Sequence, residues 1–225
     1  SAASPPDLPV YATRLPPPYR YKYELRRGML SGKGELRWAP SADGRRYEAQ
    51  LVGSVAGLRV LDWKSEGAID KHGVAPTRYV VTRLGRNAQA ANFQRASNRI
   101  TYSGPQDEFP LVPGTQDRLT ILMQLAGIVA AAPQRFGAGQ HISMFVTGAR
   151  ADAGVWQFNV LGVESIDVAG TPVRTLHVLR EPRKPRDSRL EAWLDPARHY
   201  APAKARMSNE GADASEALDL LLQPD

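Results

Sequence analysis

Cysteine is absent from the 225 residues, which excludes disulfide staples, thiolate metal sites and cysteine nucleophiles together. The absence is compatible with an oxidising compartment and indicates it only weakly. Also missing is any continuous apolar run of the ~18 to 20 residues that a membrane-spanning helix needs. Histidine is scarce: His72, His141, His177 and His199 are the four. No two of them form an HExxH or other close pair, so a zinc site would need folding to gather several with carboxylates. No GxSxG elbow marks an esterase. Gly28-Met29-Leu30-Ser31-Gly32-Lys33-Gly34 brushes against a phosphate-binding loop, but it is one residue short and neither a Ser or Thr nor a helix follows Lys33. A Gly-rich hairpin turn accounts for it, and no cofactor is expected. The chain begins at Ser1 rather than Met, so the expectation is that an upstream segment has been removed.

What is present suits one large all-β domain, or two small ones, with a real core. Apolar content of 42% and charged content of 23% are ordinary for a globular protein. In Tyr19-Arg20-Tyr21-Lys22-Tyr23-Glu24-Leu25 aromatic and apolar residues alternate with charges, the period of a strand with one packed and one wet face. The same pattern recurs over 35–38, 46–55, 58–69, 78–84, 88–95 and 99–103, with Pro76 as an interruption. It returns over 141–147, 155–163, 173–180, 190–194 and 200–207. Short strands at this spacing, with Gly or Asp turns between them, predict an antiparallel meander. The segment 211–223 suits a helix or a closing strand, and the closing strand is preferred.

One segment differs. From Asp117 to Ala132 the chain is apolar on nearly every face, and a helix of that kind has to be buried all round. Asp117 is the N-cap candidate, Pro113 and Gly114 precede it and Pro133 ends it. At ~15 residues and ~1.5 Å per residue it would be about 22 Å long, a core element rather than a membrane anchor. The expected fold is therefore mainly β: a curved antiparallel sheet or partly open barrel, residues 19–225, enclosing one apolar helix at about 117–132. The prolines at 5, 6, 9 and 16–18 make residues 1–18 a flexible or semi-rigid tether, with a PxxP-type ligand as the other reading.

The chain resembles the bacterial domain-of-unknown-function 3108 family. The resemblance is carried by Tyr23 and Leu25, Ser31-Gly32-Lys33-Gly34-Glu35, Ser65-Glu66-Gly67, Pro76-Thr77-Arg78-Tyr79 and Gln116-Asp117. Glu191-Ala192-Trp193-Leu194-Asp195, followed by Tyr200 and Pro202, completes it. Members of that family are typically periplasmic or held there by an N-terminal anchor. The resemblance thus implies a periplasmic protein, anchored to the inner membrane through the removed segment. It implies no activity and no catalytic residues.

The net charge of +6 favours anionic partners in general. The densest basic stretch, 180–189, reads first as a solvated hairpin loop stiffened by its prolines; as a functional element it offers Arg183, Lys184 and Arg186 as anion ligands for phosphates of lipid headgroups or nucleic acid. It lacks the interleaved aromatics that stack bases, so nucleic acid is not expected. Trp38, Trp63, Trp156 and Trp193 belong either to the core or to a cavity. In the second case Trp63, Trp156 and Trp193 would combine with Leu119, Leu122 and Met123 of the helix to receive an apolar or amphiphilic ligand such as a lipid. Asp62, Glu66 and Asp70 share a strand face with Lys64 and read as a wet surface rather than an acid–base pair. The expectation is a non-enzymatic envelope protein holding a greasy molecule. An envelope scaffold that binds other envelope proteins is the alternative, and a hydrolase a third class.

Overall fold

The computed structural model describes residues 4–209 and 217–224. Alternation dictates the strands: in β1 (Tyr19–Arg27) Tyr23 and Leu25 are buried while Lys22 and Arg26 face water. The chain then runs upward and downward through β2 (Leu30–Pro40), β3 (Arg46–Val55), β4 (Leu58–Asp70), β5 (Gly73–Thr82), β6 (Gln89–Gln94), β7 (Arg99–Tyr102) and β8 (Phe109–Pro110). The second half comprises β9 (Gln116–Asp117), the helix α1 (Ile121–Ala131), β10 (His141–Thr147), β11 (Gly154–Val168), β12 (Thr171–Arg180), β13 (Ser188–Asp195), β14 (Ala201–Asn209) and β15 (Leu218–Gln223). All fifteen strands form one sheet in the order β8 to β1, then β15 to β9. Neighbours are antiparallel except β9 and β10, which are parallel. Two meanders are thus zipped together where β1 meets β15, and their far edges, β8 and β9, are consecutive in the chain. The expected curved sheet around one helix is what forms.

Antiparallel order sorts the turns. The turns after β1, β3, β5 and β7, with those joining β10 to β11, β12 to β13 and β14 to β15, lie at one end, here the upper end. The remaining turns lie at the lower end.

Among the described residues no ladder joins β8 to β9. Side chains close this seam instead. The Tyr102 hydroxyl and Thr147 Oγ1 are 2.6 Å apart, and Arg150 Nε donates to Gln89 Oε1 at 2.8 Å. Ser65 Oγ donates to Asp117 Oδ2 and is itself bonded to the Tyr47 hydroxyl at 2.7 Å. Gln116 Nε2 donates to the Val74 carbonyl at 2.7 Å. Gln124 of α1 accepts from Val74 N–H at 2.9 Å and donates to the His72 carbonyl at 2.7 Å. A Cβ at Gly73, where φ is +95°, would lie 2.4 Å from Gln124 Oε1, so only glycine lets the helix come this close.

The helix starts later than the sequence indicates, at Ile121 rather than 117, with Thr120 as its N-cap and no side-chain cap bond. Asp117 still serves the entry: its Oδ1 accepts from the N–H groups of Leu119 at 2.9 Å and Thr120 at 2.8 Å. Its own backbone remains extended against Thr147, so a turn stabilised by the carboxylate intervenes before helical geometry begins. Every residue from Ile121 to Val129 is buried, and α1 packs against β5 and β14, strands from opposite halves of the sheet.

Residues 4–18 do not lead away from the domain as a flexible tether. They cover its lower end and the C-terminal half of α1. Tyr11 is buried and its hydroxyl accepts from Ser143 N–H at 3.0 Å. Arg14 N–H donates to the Gly127 carbonyl at 2.9 Å, and Trp38 Nε1 donates to the Pro16 carbonyl at 2.8 Å. A Cβ at Gly127 would lie 2.7 Å from Leu15 Cδ2. Extended proline geometry here serves docking, because it leaves backbone groups free to bond the domain.

Pro76 does not interrupt its strand. It lies inside β5 next to a bulge at Thr77, which has no partner between Glu66 and Gly67 of β4, where a missing N–H is tolerated. The C-terminal segment is a strand over Leu218–Gln223, pairing with β1 and β14; residues 211–216 of the expected element lie outside the described residues.

Two predictions follow from this packing. Deletion of residues 1–18 will lower the urea unfolding midpoint, at a cost of a few kcal/mol from the exposed Tyr11 contact surface alone; an unchanged midpoint would restore the tether. The second concerns Asp117, whose carboxyl is raised from 3.8 to about 6 by burial, against the opposing hydrogen bonds from Ser65, Thr120 and Leu119. Folding favours its protonated form. That stabilisation is complete below the unfolded value and is lost as pH rises through about 6, a swing of about 3 kcal/mol. Asp117→Asn removes it, so unfolding free energies measured from pH 4 to 7 will fall less steeply in the variant than in the wild type.

Candidate functional site

The upper end holds a cavity of about 590 Å³ that opens across the seam between the two halves of the sheet. Trp63 of β4 and Tyr79 of β5 contribute from one side, and Trp156 of β11 from the other. Around them converge Arg83, Arg118, Arg150, Arg180, Arg183, Lys184 and Arg186, against two carboxylates, Asp152 and Asp187.

Trp156 is the floor. Arg180 Cζ lies 4.4 Å and Arg118 Cζ 5.7 Å from its ring centroid, so the electron-rich ring attracts two cations. Arg180 is almost fully buried and pairs with Asp187 at 2.8 Å. It also donates to the Ser188 carbonyl. The Asp187 carboxylate accepts from the N–H groups of Arg183 and Ser188, both at 2.9 Å, which folds the loop between β12 and β13 back over the cavity. Burial by itself would raise the Asp187 carboxyl, but the Arg180 guanidinium and the two N–H groups outweigh it and hold the group at about 2.

Arg118 pairs with Asp152 at 2.6 Å, while its buried Nε has no partner. Arg150 is bonded to Gln89. The side chains of Arg83, Arg183, Lys184 and Arg186 make no ion pair among the described residues. Partial burial, then Arg150, Arg86 and Arg27 nearby, pull Arg83 below the ordinary guanidinium value. The mouth is thus strongly positive and its cations are only partly neutralised. An adjoining recess of about 170 Å³ shares Trp63, Arg83, Arg118 and Trp156 and reaches Ile121, Leu190, Met207 and Leu218. Arg27, Ser188, Arg189 and Ser208 complete its lining, so a cationic vestibule adjoins a recess of mixed character, and the two have the chemistry to hold a small anion carrying a short apolar group.

Five expected site residues meet here: Trp63, Trp156, Arg183, Lys184 and Arg186. Four do not. Leu119, Leu122 and Met123 are no more than 1% exposed and form solid core, because α1 turns every face to protein; its side contributes Ile121 and the preceding Arg118 instead. Trp193 is on the outer face, since its neighbours Ala192 and Leu194 take the inward positions of β13. There it stacks on His177 with centroids 4.4 Å apart, lies under Lys204 and donates Nε1–H to Glu164 at 3.0 Å. His177 bridges Glu164 and Glu191 at 2.9 Å each. His141 is exposed on β10, separated from His177 by β11. Asp62 is bonded to Gln50 and lies 3.5 Å from Arg59. Among the described residues no group of His, Asp and Glu is arranged to hold a metal, and no helix is long and apolar enough to cross a membrane.

Sequence reasoning missed Arg83, Arg118, Arg150 and Arg180. They stand far apart in the chain, but all four share a placement. Arg83 follows β5, Arg118 follows β9, Arg150 follows β10 and Arg180 ends β12, each at the top of an upward strand.

No curated protein matches the chain. Among solved structures it is similar to the β-barrel-like protein of domain of unknown function DUF1849 from Brucella abortus. The TM-score is 0.56 and the identity 15%, over 94% of this chain and 98% of that one. At that identity the likeness concerns the fold, and it agrees with a half-closed barrel. The family described as "Protein of unknown function (DUF3108)" matches residues 19–210, from the first strand to the end of β14. Those residues span every strand but β15, the helix and the cavity, and the chain belongs to this family.

Proposed function

We propose that this is a non-enzymatic periplasmic protein that binds an anionic amphiphile at the upper end of the barrel. The observation that carries the reading is the convergence of seven cationic side chains on a tryptophan-floored cavity. An anionic headgroup meets Arg83, Arg183, Lys184 and Arg186, whose charges are not committed to ion pairs, and the free Nε of Arg118 supplies a buried donor. A short apolar portion lies against Trp63 and Trp156 and enters the recess beside Ile121. A long acyl chain has no room along the barrel axis, because α1 already fills that space. The two lining carboxylates are tied to Arg118 and Arg180, which suits holding a ligand rather than acid–base chemistry. The periplasmic placement rests on the family resemblance.

The filled interior and the docked segment 4–18 favour a second reading, an envelope scaffold that binds other envelope proteins and no small molecule.

Titration with decyl phosphate, followed by tryptophan fluorescence, separates the two. The first reading expects saturable quenching that weakens with salt. It also expects about a tenfold or greater loss of affinity in Arg183→Ala/Lys184→Ala/Arg186→Ala, since charge-assisted contacts are the strong ones. Decyl maltoside, with the same tail and no charge, should bind poorly. Equal binding of the two detergents, or no effect of the triple substitution, would sink the amphiphile reading.

A further inference from the structure

The upper end carries a second feature that the cavity does not use. Of nine large apolar side chains exposed among the described residues, five sit on three hairpin tips: Met29, Leu30, Leu58, Val60 and Leu84. Met29 is fully exposed and the others are 36% to 60% exposed. The tips join β1 to β2, β3 to β4 and β5 to β6, which are consecutive in the sheet. With ~4.8 Å between strands, neighbouring tips stand about 10 Å apart, so the apolar residues form an arc about 20 Å long. Single exposed apolar residues are commonplace; a row confined to one rim is not. Turns ordinarily carry polar residues, Gly and Pro.

Each tip also carries arginine beside its apolar residue. Arg26 and Arg27 precede Met29, Arg59 separates Leu58 from Val60, and Arg83 and Arg86 flank Leu84. Arg26 is held by Glu24, and Arg59 lies 3.5 Å from Asp62. Arg27 and Arg86 make no ion pair among the described residues. Asp107 lies on the connection between β7 and β8, beyond the arc, and Glu108 pairs with Arg99 at 3.6 Å.

We infer that this arc docks on the surface of an anionic phospholipid bilayer. Met29, Leu30, Leu58 and Leu84 enter the boundary between headgroups and acyl chains, and the adjacent arginines meet lipid phosphates. Charge complementarity selects this partner: apolar residues interleaved with one sign of charge match a surface that is apolar beneath and anionic on top. The inference does not depend on the cavity binding any ligand.

Flotation of the full chain with phosphatidylcholine vesicles, with and without phosphatidylglycerol, tests it. The wild type should float only with phosphatidylglycerol present, and less so at high salt. Met29→Ser/Leu30→Ser/Leu58→Ser/Leu84→Ser should bind those vesicles about tenfold more weakly, while keeping the wild-type melting temperature and decyl phosphate affinity. Arg27→Gln/Arg86→Gln should weaken flotation without altering the apolar tips. A wild type that stays unbound with both compositions, as a surface made for a protein partner would, overturns the inference. So does a serine variant that floats like the wild type. Met29, Leu30, Leu58 and Leu84 line neither the cavity nor its recess, whereas Arg83 and Arg27 border both features, so decyl phosphate binding by the serine variant and flotation of Arg183→Ala/Lys184→Ala/Arg186→Ala tell failure of one proposal from failure of the other.

Discussion

A helix without a polar face sets the terms for everything around it. Ile121 to Val129 are all buried, and each large side chain returned to water would cost roughly 1.5–3 kcal/mol. The sheet must therefore curve until strands from both halves reach the helix, and residues 4–18 must cover what the strands leave open. Curvature brings the first and last strands of the ladder towards each other without letting them pair. The closing bonds are then made by side chains, among them Ser65 with Asp117, Tyr102 with Thr147 and Gln124 with the turn at His72.

The strands and the burial of the helix were legible because both follow from periodicity. Alternation of two placed β1, β3 and β13, and the unbroken apolar run placed α1 within a few residues. What could not be read was anything dependent on which segments meet. Trp193 and Trp156 look alike in the chain, yet parity in β13 turns one to the outer face and parity in β11 turns the other to the cavity. Proline at 5, 6, 9 and 16–18 signals extended backbone equally in a free spacer and in a docked strap; only Tyr11, Leu15 and the partnering Gly127 distinguish them. The arginines at 83, 118, 150 and 180 are unremarkable until the upward strands carry them to one end.

The dispersed patterns through which the family resemblance was read turn out to mark the architecture more than the cavity. Ser65 and Asp117 bond each other. Gly67 lies opposite Pro76 at the bulge, where a Cβ would come within 2.4 Å of the Ala75 carbonyl. The Tyr23 hydroxyl donates to the Pro202 carbonyl at 2.6 Å, and Asp195 accepts from Ala197 N–H at 2.9 Å. Such residues fix the frame that the family match spans, and the cations around the opening lie outside the patterns that carry the resemblance.

The unpaired seam has one more effect. An open sheet normally offers its two outermost strands as templates on which another chain can add itself. Here those strands, Phe109–Pro110 and Gln116–Asp117, are two residues long, and one of them ends in proline. A passing strand would find almost no backbone donors or acceptors to register against. Fifteen strands are thereby kept from polymerising by the brevity of the outermost two.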